Sequence, residues 1–165
     1  MTTILKPMSE SAYLRYLDES IAYYANDLVL GKIATEEGAS EKLRSDLSRL
    51  LPQGLDTPNN FFFEVQDENT NQVVGYFWYT IQTKLGNRLA FISDIWIKPE
   101  FQRQGYATNV FGMFEDRMKE LEIVDVGLHV FGHNKKARAL YEKLGYAPTS
   151  MQMRKTLTQD TPLNS

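Results

Sequence analysis

The residues with the clearest potential for chemistry surround Gly105, at a turn between a predicted strand and a predicted helix. Before the turn, Ile95 and Ile97 alternate with other residues, as in a strand, and after it apolar residues recur at helical spacing. The first N–H groups of a helix have no intrahelical partner and lie at the positive end of its dipole. The turn therefore indicates a phosphate site, although purely structural turns of this type are common.

Several predicted elements position this turn. Three strands, residues 61–65, 72–82 and 88–98, are rich in aromatic and β-branched side chains and lead into it. A strand over residues 124–130 follows the helix, and a helix between two strands indicates a parallel βαβ unit. A short helix that begins after Asn134 and a last strand over residues 149–157 complete this half. The pattern predicts an α/β (α+β) fold with a mixed, mostly antiparallel sheet.

The first sixty residues predict a short strand at Ile4 and Leu5 and two helices. The first helix begins after Ser9 as its N-cap and ends at Gly31. The second helix covers residues 40–51 and has a stripe of leucines. The apolar face of the first helix consists of Tyr13, Leu17, Ile21, Tyr24 and Leu28. We expect both helices on one side of the sheet, a single domain over residues 1–157, and an unstructured tail over residues 158–165.

Composition limits the class of protein. The chain has 165 residues and 42% hydrophobic content, which is enough for one domain with an ordinary core. It has no cysteine, which excludes a thiol nucleophile and thiolate metal sites and fits a reducing cytoplasm. A net charge of -3 argues against a protein that coats nucleic acid. Because the sequence shows neither a leader nor a membrane-length apolar segment, we expect a soluble cytoplasmic protein with no membrane partner.

Two separate patterns point to one family. Gln102, Gly105 and Ala107 give the spacing Gln-x-x-Gly-x-Ala, preceded by a strand and Pro99. A second segment comprises Leu128, Val130, Asn134, Ala137, Leu140, Tyr141, Lys143, Gly145 and Tyr146. In both patterns the sequence resembles the GNAT superfamily of N-acetyltransferases, the first being similar to its acyl-coenzyme A signature. The matches cover about residues 61–157, which implies an acyl-CoA-binding core there and acceptor-side helices within residues 1–60.

The resemblance implies acetyl-CoA as co-substrate and no metal. The turn would bind the pyrophosphate through its amides, and the strand before it would pair with the pantetheine arm where two parallel strands splay apart. The residues implied are Ile95, Trp96, Ile97, Gln102, Arg103, Gln104, Gly105, Tyr106, Ala107, Thr108, Asn134 and Ala137. For Asn134, capping of the following helix is the alternative to contact with the pantetheine arm.

Acetyl transfer to an amine needs a neutral amine and a proton for the departing thiolate. The resemblance implies Tyr141 as general acid, with a core aromatic as the alternative reading. Asp94 is the candidate base, since its parity is opposite to that of Ile95 and Ile97 and directs it to the acceptor side. Some relatives have a Glu one position earlier, where this chain has Ser93, so a water relay or a structural role for Asp94 stays open.

The sequence predicts an N-acetyltransferase that acts on a primary amine of a small molecule or peptide. His129 and His133 are its two histidines, and neither has a matching ligand set; we expect a strand-face residue and a loop residue near the pantetheine. A non-catalytic acyl-CoA sensor or interaction module is the main alternative. A nucleotide-binding or structural domain, whose glycine turn serves packing only, is a second. Exposed sheet edges leave a homodimer open.

Overall fold

Alternating apolar and aromatic residues form one five-stranded sheet within residues 2–158, the part of the chain that the computed structural model describes. In chain order and in spatial order the strands are β1 (Thr3–Pro7), β2 (Asn60–Asp67), β3 (Val73–Lys84), β4 (Asn87–Ile97) and β5 (Asp125–Leu128). The first three pairs are antiparallel, and β4 and β5 are parallel. The predicted mixed, mostly antiparallel α/β fold is confirmed.

Four α-helices cover the two faces of this sheet within the same residues: α1 (Glu10–Leu30), α2 (Ala39–Leu50), α3 (Tyr106–Glu120) and α4 (Lys135–Lys143). The α1 helix begins as predicted, because the Ser9 hydroxyl accepts a hydrogen bond from the Ala12 N–H at 3.2 Å. It ends before Gly31, also as predicted. None of these helices has the length and apolar character needed to cross a membrane.

Each face of the sheet has its own core. Under α3, the fully buried side chains include Phe77, Phe111 and Phe114, and α4 adds the partly buried Tyr141. Under α1 and α2, aromatic residues dominate, with Tyr16, Phe62, Tyr76 and Trp78 all buried. Each such aromatic side chain contributes about 1.5–3 kcal/mol by leaving water. The two N-terminal helices therefore lie on one side of the sheet, as expected, and α3 lies on the other.

A β-bulge in β4 changes which residues face which helix. Asp94 lies opposite Trp78 on β3. The next β3 residue, Tyr79, lies opposite Ile92, so Ser93 is an extra residue with no partner. Even-numbered residues before the bulge and odd-numbered residues after it pack on the α3 side. These are Ala90, Ile92, Ile95 and Ile97. After the bulge, the side chains of Asp94 and Trp96 point toward α1, which confirms the predicted parity.

The two parallel strands pair over a short stretch. Pairing runs from Leu89 with Asp125 to Ile92 with Leu128, where β5 ends, shorter than the predicted strand over residues 124–130. The β4 strand continues to Ile97 with a partner only on β3. The edge of residues 93–97 that faces away from β3 is therefore open, at the position where the resemblance implies a splay.

The predicted last strand over residues 149–157 is wrong. Residues 149–158 have no regular secondary structure, and Met151, Met153 and Leu157 are 73%, 86% and 80% exposed. Their alternation has the period of a strand, but their apolar side chains are not buried, so a strand would lack its main source of stability. The segment is attached instead by polar contacts, including an Arg154 guanidinium that donates to the Lys32 carbonyl at 2.7 Å. Apart from residue 158, the predicted tail lies outside the described residues.

Candidate active site

The predicted phosphate turn has the backbone geometry of an anion site. Gly105 precedes α3 with φ of 90°, and Arg103 also has a positive φ, of 60°. The first hydrogen bond of the helix runs from the Asn109 N–H to the Gly105 carbonyl at 3.0 Å. The N–H groups of residues 106–108 therefore have no partner in the helix, and no side chain within residues 2–158 caps this end. These N–H groups are available to an anionic ligand.

Side chains of the turn brace it rather than project from it. Gln102 donates through Nε2 to the Ile97 carbonyl at 2.9 Å, and Gln104 donates to the Glu100 carbonyl at 3.3 Å. The Gln102 backbone N–H is itself used, by the Pro99 carbonyl at 3.3 Å. Of the seven residues predicted here, those from 103 to 108 can thus offer backbone N–H groups, and Arg103 and Thr108 are also exposed.

Tyr106 anchors the start of α3 to the sheet. Its buried hydroxyl donates to Asp67 Oδ2 at 2.5 Å, at the end of β2. This hydrogen bond lowers the pKa of Asp67 and raises the pKa of Tyr106, because it favours the carboxylate and the protonated phenol. The side chain of Tyr106 is therefore structural, and only its backbone N–H faces the turn.

The side chains of the strand predicted to pair with pantetheine pack in the two cores. Ile95 and Ile97 pack under α3. Trp96 points the other way and contacts Tyr76 and Tyr23, with ring centroids 5.8 and 5.5 Å apart. Alternate residues of a strand present N–H and C=O groups to each edge, so the open edge of residues 93–97 offers backbone donors and acceptors. A peptide-like ligand arm would meet these groups.

Asn134 caps α4, as its alternative reading predicted. Its side-chain oxygen accepts from the Ala137 N–H at 3.2 Å, which uses that residue's backbone donor. The Asn134 Nδ2 group has no hydrogen-bond partner within the described part of the chain. Capping thus leaves one amide donor of Asn134 for a ligand, and both roles are compatible.

Asp94 is buried beneath α1, with 4% of its surface exposed. Its Oδ2 accepts from the Tyr16 hydroxyl at 2.6 Å, and its Oδ1 accepts from the Tyr24 hydroxyl. Burial raises the pKa of Asp94 to about 6, and the two hydroxyl donors partly oppose that rise. Burial and the Asp94 charge raise the pKa of both tyrosines well above the usual range, so they keep their protons. Asp94 is therefore ionised at neutral pH and placed to take up a proton.

Tyr16 is a site residue that the sequence did not single out, and Tyr24 was assigned only to an apolar face. They lie eight residues apart on α1, slightly more than two helical turns, so both reach the same carboxylate. The sequence did contain a signal for this contact: two tyrosines at that spacing in the first helix, and an acidic residue within an otherwise mostly apolar strand. The tyrosine hydroxyls make the contact with Asp94, and a search for apolar periodicity does not detect hydroxyls.

Tyr141 lies on α4, half-buried against Phe111, with ring centroids 5.7 Å apart. Its hydroxyl has no hydrogen-bond partner among residues 2–158. Burial, followed by the charges of Asp94 and Tyr23, raises the pKa of Tyr141 to about 12. The charge of Asp94 is thus one of the causes that raise the pKa of Tyr141.

The histidines lie at the margin of this site. His129 follows the end of β5 and is exposed, so the expectation of a strand-face residue is wrong. His133 lies in the next loop, as expected, with Nε2 3.1 Å from Asp27 Oδ1 on α1. Residues 2–158 contain no group of three or more His, Asp or Glu side chains arranged to hold a metal ion.

Comparison with known proteins identifies the family. The sequence profile of the Acetyltransferase (GNAT) family matches residues 29–146, most of the chain. The chain belongs to the GNAT family. Among its GNAT relatives is the uncharacterized N-acetyltransferase YycN of Bacillus subtilis, 30% identical over 157 residues that cover 95% of this chain and 100% of YycN. The crystal structure of YycN superimposes with a TM-score of 0.89 at 28% identity, covering 96% of this chain and 100% of that one.

Two less similar acetyltransferases have acceptors in their names. A thialysine N-epsilon-acetyltransferase of Caenorhabditis elegans is 28% identical over 107 residues, which cover 65% of this chain and 61% of that protein. The crystal structure of an aminoglycoside acetyltransferase from an uncultured soil sample, in complex with sisomicin, has a TM-score of 0.62 at 14% identity. It covers 94% of this chain and 97% of that one, and at this identity it shares the fold alone.

Proposed function

We propose that this protein is an acetyl-CoA-dependent N-acetyltransferase in which a primary amine attacks the thioester directly. The main support is the position of Asp94, a buried carboxylate on the acceptor side of β4, next to the open edge of that strand. GNAT membership supports acyl transfer in general. Acetyl as the acyl group, the amine acceptor and the residue roles are our inference.

The donors on the chain fit acetyl-CoA. The unpartnered N–H groups of residues 106–108 would hold the pyrophosphate, and the open edge of residues 93–97 would hold the amide-containing arm. Asn134 Nδ2 would add a side-chain donor to that arm. Bound there, the thioester supplies an acetyl group that is activated toward nucleophiles. Residues 61–157 would then form the cofactor half of the protein, and α1 and α2 the acceptor half.

Asp94 has the properties of a base for this reaction. A primary amine is mostly protonated at neutral pH, with a reference pKa of about 10.4, and must lose a proton before it can attack. Apolar surroundings lower the pKa of a bound amine, and an ionised Asp94 accepts the proton directly or through water. Tyr16 and Tyr24 fix the orientation of the carboxylate.

Tyr141 has the properties of the matching acid. With its pKa raised to about 12, it keeps its proton until a strong base, such as a departing thiolate, is present. Part of that rise comes from the Asp94 charge. Once Asp94 has taken the amine proton, its charge is gone, and the pKa of Tyr141 falls. Uptake of one proton therefore promotes release of the other.

Binding and turnover test this proposal together. We expect acetyl-CoA to bind in calorimetry and coenzyme A to be released when primary amines are added. Tyr141→Phe should lower kcat by about 10²–10⁴-fold and leave acetyl-CoA affinity unchanged. Tyr13→Phe, the same change elsewhere in the protein, is the control. Acetyl-CoA binding without turnover on any amine would indicate a sensor, and no binding would end the proposal.

We also expect a cytoplasmic enzyme, since a chain without cysteine has no need of an oxidising compartment. Its partners would be acetyl-CoA and the amine acceptor, with no nucleic acid or membrane. Fractionation of cells that express the tagged chain would test the location.

A further inference from the structure

A cavity of about 170 Å³ lies between the helices α1 and α2 and the strands β3 and β4. Asp94 and Ser93, which belong to the open part of β4, form part of its lining. Its remaining lining is Tyr16, Leu17, Ser20, Ile21, Tyr24, Leu43, Leu47 and Trp78.

The charges around this cavity are few. Asp94 is the one ionisable carboxylate in its lining, and the lining includes no Lys, Arg or His. Two nearby acids of α1 are already engaged: Asp27 with His133 at 3.1 Å, and Glu19 with the Tyr76 hydroxyl at 3.0 Å. A ligand in the cavity therefore meets one carboxylate and otherwise mostly hydrocarbon and aromatic rings.

This distribution selects among amines. A second ammonium group would enter the cavity without a counter-charge, and a phosphate or carboxylate would find no cation. Burying an unpaired charge in apolar surroundings is strongly unfavourable. An alkyl chain instead gains by leaving water against Leu17, Ile21 and Leu43.

We infer that the acceptor is a compact primary amine with an uncharged, apolar body, bound in this cavity with its amino group at Asp94. This inference rests on the proposed N-acetyltransferase function. It separates this chain from an enzyme for polyamines, amino sugars or sugar phosphates, whose acceptors carry further charges or many hydroxyl groups.

Two amines of equal length provide the test. Pentylamine and 1,4-diaminobutane each have six non-hydrogen atoms and differ in one terminal group, methyl against ammonium. We expect kcat/KM for pentylamine to exceed that for 1,4-diaminobutane by at least about tenfold, measured as coenzyme A release. Equal rates, or a preference for the diamine, would overturn the inference and leave the proposed function standing.

A variant should weaken this preference. Leu43→Asp places a carboxylate in the cavity wall and should lower the pentylamine-to-diamine ratio by at least about tenfold. Leu50→Asp, on the same helix but 63% exposed and outside the cavity, should keep the wild-type ratio. Circular dichroism checks that both variants fold. Should Leu43→Asp not fold, the wild-type ratio alone decides.

A binding measurement separates this inference from the reaction. Calorimetric titration of pentylamine into protein saturated with coenzyme A should show binding, and the same titration with 1,4-diaminobutane should show binding at least about tenfold weaker. Binding of the diamine at equal or greater strength would count against the cavity as an apolar site. Failure to acetylate any amine, despite acetyl-CoA binding, would instead remove the proposed function and with it this inference.

Discussion

The two faces of the sheet build their halves of the site from different parts of the chain. On the α3 side, the proposed cofactor half consists of backbone: unpartnered N–H groups at the start of a helix and the open edge of β4. On the α1 side, the proposed acceptor half consists of side chains: Asp94, Tyr16 and Tyr24 around an apolar cavity. One strand contributes to both.

This difference has a consequence for substitutions. A site made of N–H groups tolerates many side-chain changes but depends on backbone conformation. A site made of side chains depends on the chemistry of those side chains. Changes in backbone conformation damage it only when they displace the side chains. We therefore expect conservative side-chain changes to damage the acceptor half and backbone-directed changes to damage the cofactor half.

The largest effect should come from Asp94→Asn. The variant keeps the shape of the side chain but cannot take up a proton, so kcat should fall by about 10²–10⁴-fold. Acetyl-CoA affinity, measured by calorimetry, should stay within about twofold, because the turn is unchanged. Asp125→Asn, an exposed residue of β5, serves as control. Equal losses of affinity and turnover would show that the two halves are not separable in this way.

The same variant should reveal a cost in stability. The pKa of Asp94 is raised from 3.8 to about 6 in the folded protein, so wild-type stability falls as pH rises through this range. The rise corresponds to on the order of 3 kcal/mol of unfolding free energy. The amide that replaces the carboxyl in the variant does not titrate. The Tm of Asp94→Asn minus that of the wild type should therefore increase as the pH is raised from about 4.5 to about 8. A relative Tm that falls as the pH rises would contradict a raised pKa for Asp94 in the folded protein.

The next effect should come from the cofactor half, through Gly105→Ala. A φ of 90° is unfavourable for alanine by about 1–2 kcal/mol, so the turn should distort and the Kd for acetyl-CoA should rise about tenfold. Gly112→Ala, on the exposed side of α3 with open space around its added Cβ, is the control and should not weaken binding. Gln104→Ala should change the Kd by no more than about twofold. A larger effect of Gln104→Ala would mean that side chains contribute more to this half than we infer.

The smallest effect should come from Tyr24→Phe. Loss of its hydrogen bond removes one group that lowers the pKa of Asp94, so that pKa should rise. The acidic limb of the pH profile of kcat/KM, near pH 6 in the wild type, should therefore move to higher pH. Tyr16→Phe should act in the same direction. An unchanged limb would show that a group other than Asp94 controls it.

Local pattern predicted much of the fold and the geometry of the turn before α3. Strands β2 to β4, helices α1 to α3 and the cap at Asn134 follow from periodicity and capping residues that act over a few positions. The glycine turn is equally local, which is why its place between β4 and α3 was predictable. The parity of Asp94 followed from the alternation of a single strand.

Contacts between distant residues were not predictable in the same way. Tyr16 meets Asp94 across 78 positions of sequence, and neither side chain indicates the other. The predicted strand over residues 149–157 failed for a related reason, because its alternation could not show whether a partner would cover Met151 and Met153. Shape and burial in the folded protein decided both cases.

The bulge at Ser93 decides which face of the sheet Asp94 occupies. If Ser93 took a regular place in the alternation of β4, the side chain of Asp94 would exchange faces with that of Ile95. A carboxylate would then enter the phenylalanine-rich core, and an isoleucine would take its place beside the two tyrosines. The bulge absorbs the odd residue, so both side chains keep their faces, and removal of Ser93 itself would still leave Ile92 opposite Tyr79 and Asp94 opposite Trp78.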